Sequence, residues 1–368
     1  MNIDSKIYIA GHNGMVGSAL LKSLTKNGYN NIIFKSSSEL DLRNPSLVKD
    51  FFEEHKPEYV FLAAARVGGI IANNKYRADF IYDNLMIQSN IIHQSYLSNV
   101  NKMLFLGSTC IYPRDCKQPM KEEYLLNNFL EYTNEPYAIS KIAGIKMCES
   151  YNIQHNTNFI SVMPTNLYGP NDNFDLEKGH VLPALLRKIH LGKCLENNDW
   201  ISIKKDLNKR PIEGVSGLSK NIQILNILNK YGVSFLNKSK SNSVQVEIWG
   251  SGKPFREFLW SEEMSEACIF LMNNVNFENL IDKNSSELTN THINIGSGEE
   301  ISIKSLAFLI KEKLSFKGNL FFNSNKPDGN MRKLTDVSKL NKLGWKHNIG
   351  LNNGIIKLYD WYNLNLMK

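Results

Sequence analysis

The sequence predicts an α/β protein, a doubly wound parallel sheet followed by a smaller C-terminal α/β domain. Short apolar runs alternate with helical patterns, joined by short links, as far as about residue 176. A glycine-rich turn joins the first apolar run to the first helical pattern. Beyond Pro170 turn residues become frequent and the elements short and irregular. The domains are therefore expected at 1–176 and 177–368, with an insertion at about 195–244.

Ile7-Tyr8-Ile9-Ala10 reads as a buried strand, and Gly11-His12-Asn13-Gly14-Met15-Val16-Gly17 follows it. A helical pattern through Leu20, Leu21 and Leu24 then stops at Gly28. Gly11 permits the tight turn, Gly14 lets the backbone approach a pyrophosphate, and Gly17 lets helix and sheet pack closely. The triplet stands between a strand and a helix, the context a dinucleotide site requires, so a Rossmann-type sheet is expected. Gly11, Asn13, Gly14, Met15, Val16 and Gly17 would then surround the cofactor phosphates.

Asn31 to Phe34 is the second strand. It ends in Lys35-Ser36-Ser37-Ser38, a cation and hydroxyls with no acid for ribose hydroxyls. That favours NADP/NADPH over NAD, held through Lys35, Ser36 and Ser37, with Asp41 and Leu42 against the adenine. Tyr59 to Leu62 is the third strand, and the small residues Ala63, Ala64 and Ala65 stand where the cofactor would pass. Asn74 to Leu97 is a long helical pattern. Met103 to Leu106 is strand four, and Gly107-Ser108-Thr109-Cys110-Ile111-Tyr112-Pro113 lies at its carboxyl end, where open α/β sheets bind ligands. A helix begins at Asn134-Glu135-Pro136 and runs to about Tyr151, and Phe159 to Met163 is strand five.

Tyr137 and Lys141 are neighbours on one face of that helix. A lysine beside a tyrosine lowers a phenol pKa that is otherwise near ~10. Ser108, Tyr137 and Lys141 therefore form a candidate hydride-transfer site, with Tyr137 as proton donor.

In the second half, His180 to Lys188 starts a helix with cations at its far end. Residues 194–244 are polar and hold one amphipathic helix through Ile222, Leu225 and Leu228 that ends at Gly232. Gln245 to Gly250 reads as a strand, Gly252 to Phe258 as a basic turn, and Ile293 to Ile295 as another strand. A helix at Leu306 to Leu314, a turn at Lys326-Pro327-Asp328-Gly329 and a last helix to Trp361 complete the chain.

The formal net charge of +7 is spread out, with no basic run for nucleic acid, so a phosphorylated ligand is the better use of the excess. The five cysteines are scattered and show no Cys-x-x-Cys pairing, which fits a reducing cytoplasm and neither a disulfide framework nor a metal site. No signal peptide and no membrane-spanning run is expected.

Leu62 to Gly69, Phe80 to Ile92, Cys110-Ile111-Tyr112-Pro113, Asn134 to Glu149, Met163 to Pro170, Trp249-Gly250-Ser251-Gly252 and Pro327-Asp328-Gly329 resemble the GDP-L-fucose synthase family of extended short-chain dehydrogenase/reductases. The likeness runs nearly end to end and lapses around residues 195–244. It implies an NADPH-dependent 4-keto reductase of a GDP-linked 4-keto (6-deoxy) sugar, with or without 3,5-epimerase activity, in nucleotide-sugar metabolism for surface polysaccharide. It also implies a homodimer through the helices at 80–97 and 137–151. Tyr137 would protonate the C4 oxygen, Lys141 would hold the nicotinamide ribose, and Ser108 would share the hydrogen bonding. Cys110 and His180 would be the acid/base pair at C3 and C5. Leu106, Gly107, Pro164, Asn166, Leu167 and His180 would add cofactor contacts. Ser108, Thr109, Cys110, Asn166, Lys188, Trp249, Arg256 and Asp328 would hold the nucleotide sugar, with Trp249 stacking or packing on the guanosine side.

The family usually carries Arg where Asn13 and Ser37 stand, and Leu-His-Val-Asp-Asp where Leu259-Trp260-Ser261-Glu262-Glu263 stand. A C4-reductase acting on a GDP-4-keto-heptose without epimerisation is the alternative reading. A 4,6-dehydratase would carry a carboxylate in place of Cys110, a nucleotide-sugar 4-epimerase finds no support from Cys110 and His180, and a non-catalytic NADP-binding protein would be expected to lose Tyr137 or Lys141.

Overall fold

The computed structural model describes residues 1–236, 243–282 and 286–367. Backbone contacts divide the chain into two compact units. The first holds Met1–Asn171, Glu257–Glu299 and Leu334–Asn348, and the second Asp172–Arg256, Glu300–Lys333 and Ile349–Lys368.

In chain order the first unit is built from β1 (Ile7–Ala10), α1 (Met15–Lys26), β2 (Ile32–Ile33), α2 (Pro45–His55), β3 (Tyr59–Leu62), α3 (Ile70–Lys75), α4 (Arg77–Leu97), β4 (Lys102–Leu106), α5 (Glu135–His155), β5 (Phe159–Pro164) and β6 (Asn166–Tyr168). The second unit follows with α6 (Val181–Glu196), α7 (Trp200–Lys209), α8 (Asn221–Lys230), β7 (Val233–Phe235) and β8 (Val244–Trp249). β9 (Phe255–Trp260) leads back to the first unit, which gains α9 (Ser261–Asn274) and β10 (Ile293–Ile295). The second unit then adds β11 (Glu300–Ser302), α10 (Ile303–Lys313) and β12 (Asn319–Asn323), the first adds α11 (Ser338–Lys342), and α12 (Leu351–Met367) closes the second.

The main sheet has six strands in the order β10-β5-β4-β3-β1-β2, and every pairing in it is parallel. Successive side chains of a strand point to opposite faces, so a strand covered on both faces is apolar throughout. In β1, Ile7 and Ile9 enter one core while Tyr8 and Ala10 enter the other. In β4, Leu104 and Leu106 divide from Met103 and Phe105 in the same way. One core takes Leu20 and Leu24 from α1 with Met264, Cys268 and Leu271 from α9. The other takes Phe51 and Phe52 from α2, Ile91 and Ile92 from α4, and Ile142 and Ile145 from α5. The expected doubly wound sheet is therefore present.

Several expectations need correction. The second strand contracts to Ile32–Ile33, and the helical pattern before Leu97 divides at Tyr76. α5 runs on to His155, where Asn156 closes it with φ 54°. The segment read as a basic turn is the strand β9, which pairs with β6. The chain leaves the first unit at Asn171, not at 176, and returns to it twice. The first return supplies β10, whose Ile293, Asn294 and Ile295 pair with Val162, Met163 and Pro164 to complete the sheet. Strand pairing so distant in sequence leaves no local signal.

In the second unit β8 lies between β12, parallel, and β7, antiparallel. Val244, Val246 and Ile248 are buried and alternate with Gln245, Glu247 and Trp249 on the other face. Among the described residues the stretch around 195–244 holds two helices where one was expected, and the unexpected one is α7. Its anchor is ionic. Asp206 on α7 is fully buried, and its Oδ1 accepts from Nε and Nη2 of buried Arg187 on α6 at 3.0 and 2.8 Å. The Tyr362 hydroxyl on α12 donates to Asp206 Oδ2, and Arg187 also donates to the carbonyls of Phe174 and Arg210. Among the described residues no helix is long and apolar enough to cross a membrane.

Removing one partner of a buried ion pair strands the other charge, which costs about 3–5 kcal/mol. Asp206→Ala should therefore lower the unfolding free energy by that order, and Arg187→Met combined with Asp206→Leu should restore most of it, as read by urea titration followed by circular dichroism.

Candidate active site

The turn between β1 and α1 is shaped by close backbone approach. Gly11 takes φ +90°, and a Cβ there would lie 2.7 Å from the Ala64 Cα. A Cβ on Gly17 would stand 2.0 Å from the Gly11 carbonyl oxygen, so helix and turn meet with no room for a side chain. Gly14 caps α1 without a side-chain hydrogen bond, and no acid occupies the first turn. An amino-terminal helix end with bare N–H groups and no carboxylate fits a pyrophosphate. Asn13 and Gly14 are exposed, Met15 and Val16 half-buried.

The loop after β2 is less open than expected. The Ser36 N–H and hydroxyl both donate to Glu39 Oε2, at 2.7 and 2.6 Å. Those bonds hold the Glu39 carboxyl below the usual carboxylate range. Lys35 to Ser38 carry no acid, and the acid that folds back on them is the next residue, Glu39, while Lys35 is half-buried and Ser37 exposed. The Asp41 carboxylate is bound by Arg43, through Nε and Nη2 at 2.9 Å each. The Leu42 carbonyl accepts from Asn90 at 2.9 Å. Beyond β3, Ala63, Ala64 and Ala65 are half-buried. Asn84 on α4 clasps the residue after them, accepting from the Arg66 N–H at 2.8 Å and donating to its carbonyl at 3.0 Å.

Ser108 stands at the carboxyl end of β4, after Leu106 and Gly107. Its Oγ accepts from the Cys110 N–H at 3.2 Å and caps the short turn Thr109–Ile111. That turn is tied to β10, because the Tyr112 hydroxyl donates to Asn294 Oδ1 at 2.6 Å. Tyr137 lies in the first turn of α5, behind Pro136. Lys141 is buried and donates to the Leu106 carbonyl at 2.8 Å, with its ammonium 5.9 Å from the centre of the Tyr137 ring. Pro164 ends β5 and Asn166 and Leu167 open β6, all three half-buried, and the Asn166 amide donates to the Glu257 carbonyl at 2.9 Å.

The expected lowering of the phenol is not found. Burial pushes Tyr137 above its ordinary range, the neighbouring Cys110 adds to this, and the Ser108 hydrogen bond only partly offsets it. Part of the Tyr137 side chain still reaches solvent, so the effect belongs to the surroundings of the hydroxyl. Burial likewise pushes Lys141 down to about 7. A cation removed from water loses hydration that a single carbonyl and ring faces do not replace, and a partly neutral lysine cannot depress its neighbour.

In the second unit His180 precedes α6 and is exposed, yet the protein around its ring pushes the imidazole below its ordinary range. Lys188 on α6 is buried, donates to the Glu247 carbonyl at 3.1 Å, and is pushed down to about 8 by burial. Arg256 Nη1 donates to the carbonyls of Phe255 and Asn330 at 2.7 and 2.6 Å. Asp328 accepts from the Ser251 N–H and hydroxyl at 2.9 and 2.6 Å.

Residues 7–210 match the model of the NAD dependent epimerase/dehydratase family. The chain is 45% identical to a putative GDP-L-fucose synthase 2 of Arabidopsis thaliana over 365 residues, covering 99% of this chain and 93% of that protein. It is 43% identical to the GDP-L-fucose synthase of Escherichia coli (strain K12), covering 97% and 96%. The chain belongs to the GDP-L-fucose synthase family. Among solved structures it resembles a GDP-D-glycero-L-gluco-heptose synthase from Campylobacter jejuni in the presence of NADPH, with a TM-score of 0.89, 46% identity and 99% of each chain covered.

Within this family member the first unit gathers the glycine turn, the alanine loop, Ser108, Cys110, Tyr137 and Lys141 at the carboxyl ends of its strands. Asn84 and Asn294 were not anticipated. Asn294 is a single buried amide inside an apolar strand, and that mismatch was its one sequence signal.

Lys141 binds fewer protons in the folded protein than in the unfolded chain between about pH 7 and its unfolded value near ~10.4. Its contribution to stability should therefore rise with pH across that window, and be lost as pH falls through 7. Lys102 and Lys188, each pushed down to about 8, act in the same direction. In Lys141→Met the urea midpoint should climb less between pH 7 and 9.5 than in wild type.

Proposed function

We propose that the protein is an NADPH-dependent oxidoreductase that reduces the 4-keto group of a GDP-linked 4-keto sugar, with 3,5-epimerisation assigned to Cys110 and His180. The observation that carries this reading is the meeting of Ser108, Tyr137 and Lys141 at the carboxyl end of β4 in the sheet that bears the glycine turn. The family relation and the NADPH and GDP-sugar named for its relatives support it.

Bound NADPH supplies the hydride. The chain's own groups bind, orient and move protons. The turn from Gly11 to Gly17 would hold the pyrophosphate, and Lys35, Ser36 and Ser37 the 2′-phosphate. A phenol kept protonated by burial is the form needed to donate to a C4 oxygen as it gains charge, so the raised pKa of Tyr137 serves reduction. Ser108 shares the hydrogen bonding at that oxygen. Lys141 holds the nicotinamide ribose. A 4-keto group acidifies the C–H bonds at C3 and C5, and an imidazole that the protein around its ring pushes down is present as the base at neutral pH. His180 therefore takes a proton from one face and the Cys110 thiol returns one. Lys188, Trp249, Arg256 and Asp328 belong to the part of the second unit assigned to the nucleotide.

A homodimer formed through α4 and α5 is part of the proposal. It is supported by the packing of these helices on each other and by the exposed Tyr82, Leu97 and Ile153 on them. A reducing cytoplasm is in keeping with cysteines that are all outside disulfides.

Tyr137→Phe should lower NADPH oxidation by about 10²–10⁴-fold, the usual worth of a positioned proton donor, while NADPH still binds. Unchanged turnover would remove Tyr137 from the chemistry. NADPH oxidation with GDP-4-keto-6-deoxy-mannose and with a GDP-4-keto-heptose, followed by NMR of the products, tests the substrate class. With the reaction run in deuterium oxide, label should enter at C3 and C5, and Cys110→Ser should suppress it. Absence of label in wild type would leave reduction alone.

A further inference from the structure

The second unit carries a group of cations that the chemistry above does not explain. Trp249 ends β8, its side chain nearly half exposed. The Lys188 ammonium lies 5.7 Å from the centre of the indole, and the Lys326 ammonium lies 5.2 Å from it. Both distances are within reach of cation–π attraction, and Trp is the strongest ring partner. Lys188 is buried and rises from α6, whereas Lys326 is exposed and comes from the loop after β12.

An ammonium has three donors, and the Glu247 carbonyl takes one of those on Lys188. Two carboxylates stand near, Glu247 acting on Lys188 and Asp328 on Arg256, fewer than the three cations. Glu247 accepts from the Asn323 amide at 2.9 Å, and Asp328 accepts from Ser251. Arg256 adds a third cation, its Nη1 held by main-chain carbonyls. A ring and carbonyls carry no net charge to neutralise a cation, and ammonium groups drawn to one ring repel each other. A ligand bearing more than one negative charge relieves that repulsion, and a neutral base does not.

We propose that Lys188 and Lys326 form a two-lysine clamp on the diphosphate of the nucleotide sugar, and that Trp249 positions both ammonium groups instead of stacking on the base. The assignment rests on the GDP-sugar reading above. It adds Lys326 to the binding residues and changes the role of Trp249.

Calorimetric titration of the full chain with GDP, GMP and guanosine tests it. Losing one charge-assisted contact should weaken GDP about 10-fold in Lys326→Met, GMP less, and guanosine not measurably. Lys326→Arg should keep GDP binding close to wild type. Trp249→Leu should show the same ranking of ligands. The double variant should be little weaker than the worse single one, because both changes act through one clamp. NADPH binding, followed by fluorescence, should be unaltered throughout. The clamp is overturned if Lys326→Met holds GDP as well as wild type, or if Trp249→Leu weakens guanosine as much as GDP, the signature of base stacking. If wild type binds no GDP, the GDP-sugar reading itself fails and the clamp with it.

Discussion

A parallel sheet covered on both faces has no place for polar chemistry except at its strand ends, and the first unit follows from that constraint. β1, β3, β4 and β5 run apolar through two cores. Within two residues of their ends stand Gly11, Ala63, Ser108 and Asn166. Because these strands are parallel, their carboxyl ends fall on one edge, and residues far apart in sequence share one site. β10 serves the same end, since Asn294 within it receives the Tyr112 hydroxyl and so steadies the turn that carries Ser108 and Cys110.

Burial also decides which groups are charged. The Tyr137 phenol is pushed up and the Lys141 ammonium down by the same loss of water. Loss of water therefore shifts both groups toward their neutral forms. Arrangement by proximity alone predicts the reverse for tyrosine, and it fails because desolvation outweighs an ammonium that is itself buried and directed to the Leu106 carbonyl.

The second unit solves a different problem. Its stretch beyond Glu196 is polar enough to read as loop, yet α7 is held by a buried charge. Asp206 joins α7 to Arg187 on α6 and to Tyr362 on α12. Arg187 is the immediate neighbour of Lys188, so the element that looked like a surface insertion braces the helix that carries Lys188. The cations around Trp249 stand on that framework.

Much of this was legible in the residues. The alternation of apolar runs and helical patterns, the Gly11 to Gly17 turn and the Tyr137–Lys141 spacing are local signals, and local signals report dihedral preference and periodicity directly. They determined the doubly wound sheet, its first five strands and the side chains at its active edge. What depends on contacts distant in sequence was left to the tertiary structure. The return of Ile293–Ile295 as the sixth strand, the burial that inverts the expected pKa of Tyr137, and the convergence of Lys188 and Lys326 on one indole belong to this class. Each is set by which surfaces exclude water together, and no window of sequence contains that information.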